Sequence, residues 1–147
     1  MYTSAPGHAQ RPIQDFRLHN HENAPQRLQH LMGERGALLV LTSDIWDLSS
    51  VRYVLWLQRS CYKLALNGIQ SAVIVPAQPY EINGFYMSIP RAIPFPLLAD
   101  PDREVYDFFG GKEGFVLVSP SREVRKQWTP TDGSAPRIRD ILRVAGA

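Results

Sequence analysis

The run Ala37-Leu38-Leu39-Val40-Leu41 constrains this chain more than any other stretch, because it is apolar at consecutive positions. It reads as a strand, Ala37 to Thr42, buried on both faces, which requires a sheet covered by a layer on either side. A short polar turn, Ser43 to Ser50, follows it. A helical pattern then runs from about Ser49 to Leu66 and is stopped by Asn67-Gly68. At such a strand–turn–helix junction the first free N–H groups of the helix and their partial positive charge point at the turn, so chemistry is usually found there.

The remaining elements follow from pattern. Ile13 to Leu18 alternates as a short edge strand, and His19-Asn20-His21-Glu22 is a polar turn. Pro25 to Met32 places Leu28, Leu31 and Met32 at helical spacing, closed by Gly33 and Gly36. In the long helix, Val51, Val54, Leu55, Gln58, Cys61, Tyr62 and Ala65 fall on one stripe, while Arg52, Trp56, Arg59 and Lys63 share another face. Ser71 to Val75 is a second buried strand, Pro79 to Ser88 a looser helix, and Pro94 to Asp100 an extended segment. A short helix, Asp102 to Phe109, ends at Gly110-Gly111. Phe115 to Val118 and Glu123 to Trp128 form a hairpin around Pro120-Ser121. Ser134 to Val144 is a final helix with Pro136 in its first turn. This order implies an α/β fold, a central mixed sheet with helices on both faces and a right-handed crossover in its first half.

Composition narrows the function classes. A chain of 147 residues is one domain with room for a core, expected here over residues 12–147 behind a disordered tail at 1–11. A net charge of +2 gives no footprint for nucleic acid, and the single cysteine, Cys61, excludes an internal disulfide or a cysteine-rich zinc site. The N-terminus lacks the basic and apolar regions of a signal peptide, and no apolar run reaches the roughly 20 residues of a membrane span. A cytoplasmic protein is expected, peripheral on a larger complex as a variant of that expectation.

Certain residues carry a resemblance. IPFPLLADPDREVYDFFG, residues 93 to 110, looks like the "FPLLsDp" segment of the peroxiredoxins, and FVLVSPSREV, residues 115 to 124, is similar to their "tFlID-x-x-G" hairpin. LLVLTSDIWDLSSVRYVLWL stands where that family has its strand, active-site loop and long helix. The chain thus resembles the thioredoxin superfamily, and within it the peroxiredoxin-like group of alkyl hydroperoxide reductase, thiol-specific antioxidant and redoxin domains, in order and spacing over roughly residues 13 to 144. The resemblance implies a thioredoxin-like fold and thiol-dependent peroxidase or oxidoreductase chemistry.

The same resemblance places the family's functional positions on this chain, and each is substituted. The family's proline falls on Ser43, its hydroxyl residue on Asp47, its reactive cysteine on Ser50 and its arginine on Glu113; a one-residue slip would bring Lys112 to the arginine position. The thioredoxin pattern Trp-Cys-x-x-Cys meets Trp46-Asp47-Leu48-Ser49-Ser50, which keeps the tryptophan and neither thiol. The proline that thioredoxins place before the hairpin strand has no counterpart between Pro101 and Pro120.

What the substituted residues do is read from their chemistry. A serine hydroxyl is a nucleophile only with a base to take its proton, and His8, His19, His21 and His30 all precede the strand. Asp47, Ser49 and Ser50 are expected instead to cap the helix, worth about 1 kcal/mol. Cys61, three turns into the helix on an apolar stripe, is expected to be an inert buried thiol, with a redox role as the alternative. His19 and His21 with Glu22 nearby could contribute to a metal site, but two ligands on a loop are a weak signal beside a solvated turn, and neither metal nor cofactor is expected. Arg52, Trp56, Arg59, Lys63 and Trp128 mix cations with indoles, the residue types enriched at protein–protein hot spots.

These readings favour a non-catalytic interaction module or accessory subunit that binds another protein. The alternative is a thiol-dependent peroxidase or oxidoreductase working through Cys61 or an external thiol. A small-molecule binder that reuses the pocket near Trp46 and Glu113 is a third reading.

Overall fold

The computed structural model describes residues 13–44, 47–89, 91–132 and 134–146. Seven strands, β1 (Arg17–Asn20), β2 (Pro25–Arg27), β3 (Gly36–Leu41), β4 (Ile69–Val75), β5 (Leu97–Ala99), β6 (Gly114–Val118) and β7 (Val124–Trp128), form one sheet in the order β2-β1-β5-β4-β3-β6-β7. β3, β4 and β5 run parallel, while β1 on one side and β6 on the other pair antiparallel to that centre. The sheet is therefore mixed, as the sequence implies. Its helices are α1 (Leu48–Leu66), α2 (Pro79–Ser88), α3 (Glu104–Phe108) and α4 (Ile138–Ala145).

The consecutive apolar residues of β3 divide strictly between two cores. Leu38 and Val40 join Ile69, Val73, Val75, Phe115 and Leu117 under α1, α2 and α4. Ala37, Leu39 and Leu41 join Ala72, Ile74, Val116 and Val118 under α3, Leu28, Leu31 and the buried Ile13. Successive side chains of a strand point to opposite faces, so a run without polar residues is what two covered faces demand.

Several elements differ from their sequence expectations. The first strand begins at Arg17, and Ile13 anchors the preceding segment through its buried side chain and an N–H bond to the Arg122 carbonyl at 2.6 Å. Pro25 to Met32 is not a helix: β2 pairs back on β1, and Leu28–Leu31 forms a single 3-10 turn. The Asn20 side chain decides this, since its oxygen accepts from the N–H of Glu22 and Ala24 at 2.9 and 3.0 Å and closes a hairpin. Leu28 and Leu31 are both buried, and a spacing of three suits a 3-10 turn as well as an α-helix. The final helix starts at Ile138 rather than Ser134, because the Asp132 carboxylate holds the Ser134 N–H and hydroxyl at 3.1 and 2.6 Å in a local turn. Pro136 accordingly precedes the helix.

The expected apolar stripe of the long helix is also displaced. The buried residues of α1 are Ser50, Tyr53, Val54, Leu57, Ser60 and Leu64, whereas Leu55 and Tyr62 are 40% and 75% exposed. Small serines occupy two buried positions, and periodicity counted on apolar residues alone rotates the helix by about one position. Residues 1–11, expected as a tail, lie outside the described residues.

Candidate functional site

The C-terminal end of β3 meets the start of α1 and the start of β6. Thr42 is buried, and both its N–H and its hydroxyl donate to the Ile74 carbonyl, at 3.1 and 3.3 Å, so the alignment of β3 with β4 continues one residue past the end of β3. Leu41 pairs with Gly114 across the β3–β6 ladder, which sets Glu113 opposite the first residues of the turn. Only glycine serves at 114: its φ is +157°, and a Cβ would run into the Trp128 carbonyl. The backbone itself thus delivers the Glu113 side chain to the junction.

Among the described residues, the side-chain groups that meet at this junction are hydroxyls and carboxylates. The Ser49 hydroxyl lies 2.7 Å from Asp47 Oδ2 and 2.7 Å from both Glu113 carboxylate oxygens. Ser43 Oγ lies 3.2 Å from Asp47 Oδ2 and 3.4 Å from Glu113 Oε2. A hydroxyl carries one proton, so Ser49 donates to one carboxylate at a time and holds both on either side of it. Ser50 is buried, and its hydroxyl accepts from the Asp44 N–H at 3.4 Å. Asp47 occupies the N-cap position of α1, with φ −68° and ψ 145°.

The expectation that Asp47, Ser49 and Ser50 cap the helix needs correction. The Asp47 carboxylate makes no capping bond and turns to the Ser43 and Ser49 hydroxyls instead. Competition from two nearby hydroxyls explains the turn away from the backbone N–H groups. Both carboxylates still lie beside the positive end of the helix, a favourable placement.

Tyr53 is the member of this site that sequence reading missed. It follows Ser49 by one helical turn and leans back toward the helix N-terminus, as helical side chains do. Its ring packs edge-on against Phe115 at 4.7 Å, and its buried hydroxyl has no hydrogen-bond partner among the described residues. Burial, then the charges of Glu113, Asp132 and Asp47, push the Tyr53 pKa up to about 12. The spacing of four from Ser49 was the available signal.

The other candidates lie apart from the turn. Cys61 is half-buried at the edge of the core, about 16 Å along the helix axis from Ser50 at 1.5 Å per residue. Burial pushes its thiol pKa up. β5 and β4 separate β3 from β1, which carries His19, and His21 stacks on Tyr86 at 3.9 Å. No group of three or more His, Cys, Asp or Glu side chains placed to hold a metal ion occurs among the described residues. His8 and Trp46 lie outside those residues.

On the flank of α1, Arg52, Arg59 and Lys63 are exposed. Trp56 is half-buried and meets Phe115 edge-on at 5.4 Å, while Trp128, paired with Phe115 across β6–β7, carries Lys126 Nζ 5.3 Å over its ring. Both indoles are thus partly buried against the core rather than standing free. A cleft of about 250 Å³, lined by Arg52, Tyr53, Leu55, Trp56, Arg59 and Ala135, runs alongside. No described helix is long and apolar enough to cross a membrane.

No protein-family model matches this sequence, and no curated protein matches it significantly. Solved structures do match. Peroxidoxin BcpB from Mycobacterium tuberculosis superposes with a TM-score of 0.77 at 16% identity, covering 92% of this chain and 94% of that one. Enterococcus faecalis AhpC gives 0.78 at 14% identity, covering 92% and 89%. A mutant of PrxQ from Xylella fastidiosa gives 0.72 at 12% identity, covering 88% and 86%.

Proposed function

We propose that this chain, which has the thioredoxin-like fold in its peroxiredoxin form, acts by binding another protein, as an interaction module or accessory subunit, and not by thiol chemistry. One observation carries this reading: Ser43, Asp47, Ser49, Ser50 and Glu113 supply the junction with oxygen atoms, and the chain's one thiol lies far along α1. Thiol attack on a peroxide needs a thiolate held in a positive environment. The carboxylates here oppose any thiolate brought near them, and the Ser50 hydroxyl cannot be oxidised to a sulfenic acid. Cys61, its pKa raised by burial, is a poor substitute. The exposed Arg52, Arg59 and Lys63 beside the Trp56 cleft supply the residue types of a binding face.

The test is hydroperoxide consumption with a dithiol reductant, run on the wild type and on Cys61→Ser. The expected result is that neither exceeds the uncatalysed rate. Turnover abolished by Cys61→Ser would replace this reading with a peroxidase working through Cys61. Turnover that survives the substitution would also overturn it, in favour of chemistry with an external thiol.

A further inference from the structure

The displaced stripe of α1 leaves an ordered face on the outside. Leu48, Arg52, Leu55, Arg59, Tyr62 and Leu66 follow one another at spacings of four and three, the repeat of a coiled-coil seam. All are exposed: Leu48 by 63%, Leu55 by 40%, Tyr62 by 75% and Leu66 by 73%, with Arg52 and Arg59 between them. Leu57 and Leu64, on the opposite side of the helix, are fully buried, so the core occupies the back of the helix and the seam faces outward. Scattered exposed leucines are ordinary; four large apolar residues in one heptad register over about 27 Å of helix are a surface of defined shape.

Charge selects what covers it. α1 contains no Asp or Glu, and Arg52, Arg59 and Lys63 enter no ion pair among the described residues. A second copy of this chain would set cation against cation along the seam with no carboxylate of α1 to offset them, so self-pairing is disfavoured. Isolated charged residues within an apolar seam are the positions that fix partner and register. The complement is a helix with apolar residues at the same repeat and carboxylates seven residues apart, opposite Arg52 and Arg59.

We infer that the outer face of α1 is the docking surface for an acidic amphipathic helix of a partner protein, seated by Leu48, Leu55, Tyr62 and Leu66 and held in register by Arg52 and Arg59. This rests on the protein-binding reading given above and names its site. Rim charges govern association rate and salt response, so binding should weaken as salt rises.

The probe is a pair of synthetic helical peptides with one leucine repeat, glutamate in one and lysine in the other at the positions facing Arg52 and Arg59, titrated against the full chain. The glutamate peptide should bind about tenfold or more tightly than the lysine peptide at low salt. Arg52→Glu/Arg59→Glu should reverse that order, and Leu55→Asp should abolish binding of both. Circular dichroism and thermal melts confirm that each variant folds. Equal binding of the two peptides, or an order unchanged by the double substitution, would overturn the inference. So would a concentration-dependent dimer of the wild type that Leu55→Asp disperses. A stoichiometric native partner that crosslinks elsewhere than at α1 would sink this site and leave the broader reading standing; a chain isolated alone would sink both.

Discussion

The N-terminal turn of α1 and the outer flank of the same helix have opposite chemistry. At the start of α1 the Ser43 and Ser49 hydroxyls each lie within hydrogen-bond reach of both the Asp47 and the Glu113 carboxylates. The outer flank carries Arg52, Arg59 and Lys63 with no acid among them. At the turn the acids find partners within the fold, the Ser43 and Ser49 hydroxyls, and lie beside the positive end of the helix. On the flank the cations have no internal partner among the described residues. Groups satisfied within the fold hold it together, whereas groups left unsatisfied at its surface are available to something else. That contrast is the ground for proposing a binding face on the flank of α1 rather than at its N-terminus.

The contrast can be broken at the turn first. Gly114→Ala forces a Cβ onto the Trp128 carbonyl at a strained backbone angle and should cost about 3 kcal/mol. Denaturant unfolding measures it. A loss below ~1 kcal/mol would mean that β6 shifts without penalty and that Glu113 is not fixed by the backbone.

Next in size is the pH response of Tyr53. Its folded pKa of about 12 exceeds the ordinary value of 10.0, so the folded state keeps a proton that the unfolded chain releases. Its contribution to stability is therefore full below pH 10 and is lost as pH rises toward 12, by up to about 2 kcal/mol. Tyr53→Phe should remove that loss and be close to neutral at pH 7, since the buried hydroxyl has no partner to forfeit. Melts of both proteins across this range check it, and parallel profiles would contradict the burial of the hydroxyl.

A smaller effect isolates the carboxylates. Glu113→Gln should lower the Tyr53 pKa, because the Glu113 charge is the largest contribution after burial, while changing stability by less than about 1 kcal/mol. Ultraviolet titration of tyrosinate reads it. On the flank, Arg52→Glu/Arg59→Glu should leave stability within about 0.5 kcal/mol per substitution. A large loss there would mean that the cations serve the fold and are not spare.

The sequence made the core of the fold legible where a single period rules. β3 shows its two-sided burial in every residue, and the resemblance at residues 93 to 110 points to the fold that the solved structures share. It was least legible where a side chain competes with a helix. Asn20 and Asp132 each bind backbone N–H groups locally and replace the helical turns that apolar spacing suggested. At the junction the structure brings Ser43, Asp47 and Glu113, positions that only the resemblance singled out, around the Ser49 hydroxyl, and Glu113 arrives across the β3–β6 ladder. Pattern could not show that Ser49 joins the two carboxylates or that Asp47 turns from the backbone, because the first depends on distances between residues 64 positions apart in sequence. The second depends on which of several nearby donors the Asp47 carboxylate meets. The heptad on α1 was hidden for a related reason: Leu55 and Tyr62 look like core until Ser50 and Ser60 are seen to face inward.

The central claim is that this peroxiredoxin-fold chain works through the outer face of α1. Its most direct test is quantitative affinity isolation of the tagged full chain from its native source, alongside the Arg52→Glu/Arg59→Glu chain. The expected result is one protein recovered in constant proportion with the wild type, crosslinking to α1 and missing from the double variant. Recovery of the same protein in equal amount with both chains, or of the wild type alone, would contradict it.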